Sequence, residues 1–179
     1  MNKLILFIVV CLIPICGMAE SPDLTPELTK KFQSLPSDQK GQLSKKYNDS
    51  EIFKKLGFQD GKDAFTYCGA VENYKLAKYS KESPPDMNGN GMQREMALTK
   101  MKRDNCQARV SELVQQGYWN YEAFGALNKK YLVEISSAAE NVQADGGKKL
   151  GQMVALADRV EKALVDTYPK FIADEMRKR

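Results

Sequence analysis

The stretch Ser83-Pro84-Pro85-Asp86-Met87-Asn88-Gly89-Asn90-Gly91-Met92-Gln93-Arg94-Glu95 separates two segments of helical periodicity, and its reading decides the fold. Before it, Ala64, Phe65, Cys68, Val71, Leu76 and Tyr79 recur at three- and four-residue steps, the spacing of one helix face. After it, Leu98, Met101, Cys106, Val110, Leu113 and Val114 form an inward stripe that Gly117 stops. Pro84-Pro85 forbids the first helix from continuing, because proline lacks an amide donor and its ring disfavours the helical conformation of the residue before it. The stretch therefore reads as the bend of an antiparallel helical hairpin. Residue 87 lies midway between Cys68 and Cys106, nineteen residues from each. Residues equidistant from a bend sit level across the arms, and both cysteines fall on apolar stripes, so a Cys68–Cys106 disulfide is expected. The alternative, a redox-active or nucleophilic thiol, lacks the C-x-x-C spacing that lowers a thiol pKa.

Outward from the hairpin the same periodicity continues. A helix beginning near Asn120 places Phe124, Leu127, Tyr131, Ile135 and Ala138 on one stripe. Another follows Asp145-Gly146-Gly147 with Leu150, Met153, Val154, Ala157, Val160 and Leu164, and Pro169 either kinks it or opens a short terminal helix carrying Phe171, Ile172 and Met176. Upstream, Thr25-Pro26 pairs a cap with a proline at the first helical position and opens a segment with Leu28, Phe32 and Leu35. Pro36-Ser37 restarts the chain with Leu43 and Tyr47 on one face, and Ser50 opens a third short segment that stops at Gly57. No alternating β-branched run appears after the N-terminus. The expected fold is all-α: an antiparallel bundle of about four long helices over 61–179, with short helices over 20–60 in the same domain, braced by one disulfide.

Residues 1–19 read as a cleaved signal peptide. Lys3 supplies an early positive charge, Leu4 to Ile15 is apolar but too short to span a bilayer comfortably, and Gly17 and Ala19 are the small residues before a cut. An uncleaved anchor is the alternative. Ile15 before Cys16 and Val10 before Cys11 do not suit lipidation. Cleavage removes Cys11 and Cys16, leaving one possible pair in an oxidising compartment, periplasmic or extracellular. It also leaves 26 basic against 23 acidic residues, a net charge of +3. So mild a balance does not point to nucleic acid. No stable membrane insertion is expected after cleavage.

Histidine is absent. That removes the commonest general base, the Ser-His and Cys-His nucleophile pairs and the usual zinc ligands, and no other catalytic constellation stands out, so the chain reads as no enzyme. Glu134, Glu140, Asp158, Glu161 and Glu175 lie beside Lys or Arg at helical spacing and read as solvated surface. Gly146-Gly147-Lys148-Lys149 lacks the spacing of a phosphate loop and reads as a turn. No cofactor is expected, with weak calcium the one open option. In the hairpin bend, Asp86, Asn88 and Asn90 with Gly91 match the first half of a calcium loop. Ala97 stands where the closing glutamate belongs, and Glu95 is the nearest acid. A plain connection collects the same residue types.

Gly117-Tyr118-Trp119-Asn120-Tyr121-Glu122-Ala123-Phe124 gathers the only tryptophan and two tyrosines where one helix ends and the next begins. Tyr118, Trp119 and Tyr121 either staple the turn to the core or form a patch for a partner protein, since Trp and Tyr serve well as interface anchors. The terminal Arg177-Lys178-Arg179 complements the C-terminal dipole of its helix. These features lead to a non-enzymatic helical protein that binds another envelope or secreted protein, with an inhibitor or immunity protein as the concrete form. The alternatives are an accessory structural subunit of a secretion or conjugation apparatus, and a weak calcium-binding or chaperone-like periplasmic protein. Gly117-Tyr118, Glu122-Ala123-Phe124 and Lys130-Tyr131-Leu132, under a tenth of the chain, resemble periplasmic immunity proteins of type VI secretion amidase effectors. Val154 stands where that family carries a cysteine in the penultimate helix, so the family's disulfide scheme is not shared.

Overall fold

The structure, a computed structural model, describes residues 23–82 and 90–179, with the side chains of Glu82 and Asn90 left out. Residues 1–19, read as a signal peptide, and the candidate calcium ligands Asp86 and Asn88 lie outside the described residues, as does the side chain of Asn90.

The described chain is all-α, without strands, as the periodicity predicts. Three short helices come first: α1 (Pro26–Gln33), α2 (Ser37–Asn48) and α3 (Glu51–Lys55). The Thr25 side chain accepts from the Leu28 amide at 3.3 Å and Pro26 fills the first turn, where no amide donor is needed. Gly57, with φ of 95°, provides the left-handed step that ends α3. The hairpin arms are α4 (Gly61–Glu82) and α5 (Asn90–Gln115), and Asp60 starts α4 by accepting from the Asp63 amide at 3.0 Å. Then come α6 (Tyr121–Glu140), the single turn α7 (Val142–Asp145) and α8 (Lys148–Arg177).

The Cys68–Cys106 disulfide is formed across α4 and α5, with the Cα atoms 6.2 Å apart and both residues wholly buried. Gly69 lies beside it, and a Cβ there would meet the Gln107 side chain at 3.5 Å, so the arms run close.

α4 is the hub. Every residue from Ala64 to Glu72 is buried, so this stretch is enclosed on all its faces. The sequence allows it: no Lys or Arg occurs from 63 to 74, and Ala64, Gly69 and Ala70 are small enough for neighbours to approach closely. α4 packs against α5, α6 and α8, whereas the consecutive helices α5 and α6 barely touch. This differs from a square bundle, in which successive helices are neighbours. Lys102, Asn105 and Arg109 of α5 meet Asp158, Glu161 and Tyr168 of α8 in rising order, so these two helices run parallel.

The short helices share the core of the long ones. Tyr47 of α2 lies 4.8 Å from Tyr168 and 5.4 Å from Phe171, ring centre to ring centre, while Phe53 of α3 lies 4.9 Å from Phe65. Edge-to-face and tilted contacts of this kind add to the area that the rings bury.

Two expectations are corrected. Leu98 and Met101 do not face inward; they are 38% and 46% exposed. Stepping back from Cys106 by four and then three residues reaches Lys102 and Thr99, and Thr99 is buried. Polar residues hold the inward positions there, which hides the stripe from a hydrophobicity reading. Pro169 does not open a separate terminal helix, for it lies inside α8, which is continuous to Arg177. The carbonyl that Pro169 leaves without an amide belongs to Val165, a residue 36% exposed, where water can serve it.

Candidate functional site

The turn between α5 and α6 is built from its backbone up. Gly117 takes φ of 73°, the Tyr118 amide donates to the Leu113 carbonyl at 2.9 Å, and the Gly117 amide donates to Val114 at 3.0 Å. This doubly bonded C-terminal motif closes α5, and only glycine adopts its left-handed step without strain. Three residues on, Asn120 caps α6 by accepting from the Ala123 amide at 2.8 Å. Both ends of the turn are thus pinned by hydrogen bonds, and three aromatic side chains project from it.

Their surroundings differ. Tyr118 is half-buried and turns toward α2, where Lys45 Nζ stands 5.9 Å from its ring centre and Gln42, Lys46 and Asp49 complete a shallow groove. Trp119 is half-buried against the core, edge-on to Phe124 at 5.7 Å, with Lys62 Nζ 6.0 Å from its ring centre. Tyr121, in the first turn of α6, is 68% exposed. Stapling and exposure are therefore divided among the three: Trp119 holds the turn to the core and Tyr121 stands free of it. Each half-buried ring has a lysine ammonium over it, which suits the negative face of the ring.

The other predicted residues lie apart from this turn. Cys68 and Cys106 are interior, and Glu95 is exposed on α5.

A second polar constellation escaped the sequence reading. Along the α5/α8 seam, Lys102 Nζ meets Asp158 Oδ1 at 2.6 Å, and Asn105 donates to Glu161 Oε1 at 3.2 Å. Arg109 lies 4.3 Å over the Tyr168 ring while pairing with Glu112 at 2.6 Å. Beneath the seam Glu72 is wholly buried, with Lys75 Nζ at 3.0 Å. Burial pushes the Glu72 carboxyl above its ordinary range, and Lys75 only partly opposes this. Glu161 is thus buried rather than solvated, and Asp158, although partly exposed, is likewise paired with a residue 56 positions away in sequence rather than with a neighbour on its own helix.

Two more buried polar contacts position α4. The Tyr67 hydroxyl donates to the Met153 carbonyl at 3.0 Å, and burial raises this phenol to about 12, with Glu134 adding to the effect. The Tyr131 hydroxyl donates to Asp63, whose other oxygen accepts from the Gln59 amide at 3.2 Å. Burial, followed by that hydrogen bond, raises the Tyr131 phenol well beyond its ordinary value. Both phenols therefore stay protonated and act as fixed donors.

No family model, curated protein or solved structure matches this chain.

Proposed function

We propose that this protein is a secreted or periplasmic helical protein that binds another protein without catalysis, with an inhibitor or immunity protein as the concrete form. The signal-like N-terminus supports export, and a wholly buried disulfide is suited to an oxidising compartment. Among the described residues, no helix is long and apolar enough to cross a membrane.

The observation that carries the binding reading is Tyr121, a 68% exposed aromatic on a turn capped at both ends and backed by Trp119. An aromatic anchor on a rigid support offers contact area at little conformational cost.

The test is affinity capture from envelope and secreted fractions with the wild type, Tyr121→Ala and Trp119→Ala, with cross-links mapped by mass spectrometry. Tyr121→Ala should keep the wild-type melting temperature and lose the captured partner. Trp119→Ala should lower the melting temperature as well, because Trp119 packs on the core. If both variants retain every partner and the cross-links avoid 118–121, the aromatic-turn reading is wrong.

A further inference from the structure

The outer face of α6 carries exposed apolar side chains. The inner side of the helix is defined by Tyr131, Ile135 and Ala138, all buried. On the opposite side Lys129, Leu132, Val133, Ser136, Ser137 and Glu140 line one shallow groove, and all six are exposed. Leu132 is 38% exposed and Val133 is 61% exposed, two large hydrophobic residues side by side.

The charges of this groove sit only at its ends. Lys129 and Glu140 are eleven residues apart, about 16 Å along the axis at the helical rise. Between them the groove is apolar or hydroxylated. The other charges of this stretch turn elsewhere: Lys130 lies over the Tyr131 ring at 5.3 Å, and Glu134 acts on Tyr67 and Tyr131.

We propose that this face pairs with the same face of a second copy of the chain, α6 antiparallel to α6 about a two-fold axis. An antiparallel overlay centred between Glu134 and Ile135 sets Lys129 opposite Glu140 of the other copy, and this pairing occurs twice. It also sets Val133 opposite Ser136 and Leu132 opposite Ser137, a large residue against a small one each time. Such self-complementarity is what an isologous interface requires. A parallel overlay would set Lys129 against Lys129 and Glu140 against Glu140. One helix face is a small area for an interface, so the pair is a weak dimer, of micromolar to millimolar dissociation constant. The inference stands independently of the aromatic-turn reading, since it uses none of those residues.

Sedimentation equilibrium of the disulfide-intact protein, from micromolar to millimolar concentration, provides the test. The wild type should show a monomer–dimer equilibrium that weakens with added salt. Lys129→Glu should weaken the dimer roughly tenfold or more, because both ends then carry facing acids. The double variant Lys129→Glu/Glu140→Lys should restore it, which a misfolded chain could not do. Val133→Asp should abolish the dimer while leaving the melting temperature of the dilute protein unchanged, given the exposure of that residue. A wild type that stays monomeric at millimolar concentration overturns the proposal. So does a dimer indifferent to Lys129→Glu, or one that the charge swap fails to restore.

Discussion

Replacing Cys68 and Cys106 together by alanine tests the main brace of the fold. The two are 38 residues apart in sequence, and closing a loop of that length removes enough unfolded-chain entropy to stabilise the native state by about 4 kcal/mol. For a domain of this size the same change should lower the melting temperature by roughly 8–16 °C. Alanine is preferred to serine because both sites are wholly buried, and a hydroxyl there would have to find a partner in a dry environment. Alanine also removes two packed sulfurs, so the reduced wild type is the control that lacks the cross-link and keeps the sulfurs. Urea titration followed by circular dichroism should show a midpoint lowered by roughly 2 M for a slope of about 2 kcal/mol per M. The oxidised wild type should respond to reductant and the variant should not. A stability loss below about 1 kcal/mol in both the variant and the reduced protein would refute the reasoning, since it would mean that the unfolded chain gains little freedom when the link is cut.

Three further outcomes follow from the packing. Phe53→Ala, at a wholly buried ring wedged between Tyr47 and Phe65, should cost about 3–5 kcal/mol by chemical denaturation, and a loss under about 1 kcal/mol would show that α3 does not share the core. Gly61→Ala should cost about 1–3 kcal/mol, because the added Cβ would lie 2.9 Å from the Phe65 ring and 3.1 Å from the Asn48 backbone; an unchanged melting curve would contradict that close approach. The Glu72 carboxyl, raised by burial, contributes stability that is present below its unfolded pKa and lost as pH rises through its higher folded pKa. Denaturation at a series of pH values should show this decline in the wild type and not in Glu72→Gln, against the opposite contribution of Glu175, which Lys178 and Lys46 hold low. Identical pH profiles for the two proteins would remove Glu72 as its source.

Local chemistry made much of the fold legible. Thr25-Pro26, Gly57, Gly117 and Gly146-Gly147 mark helix ends through their backbone preferences, and each stands at an end in the structure. The disulfide was legible too, because level positions on two antiparallel arms depend only on distance from the bend. Less of the candidate site could be read. The clustering of Tyr118, Trp119 and Tyr121 was visible, but not its division: Tyr118 turns to α2, Trp119 to the core and Tyr121 to solvent.

Residue order alone thus determined the main helices, several of their ends and the pairing of the cysteines, all properties of neighbouring residues or of chain length, but not the single turn α7. Tertiary structure decided which helix became the hub, why Thr99 and Lys102 rather than Leu98 and Met101 face inward, and how Asp158 and Glu161 find partners on α5. The reason is physical. Helical periodicity orders the faces of one helix, whereas burial depends on which other helix arrives and at what rotation. That is set by side-chain volumes and charges far apart in the chain, as where the small residues of α4 let three helices close around it.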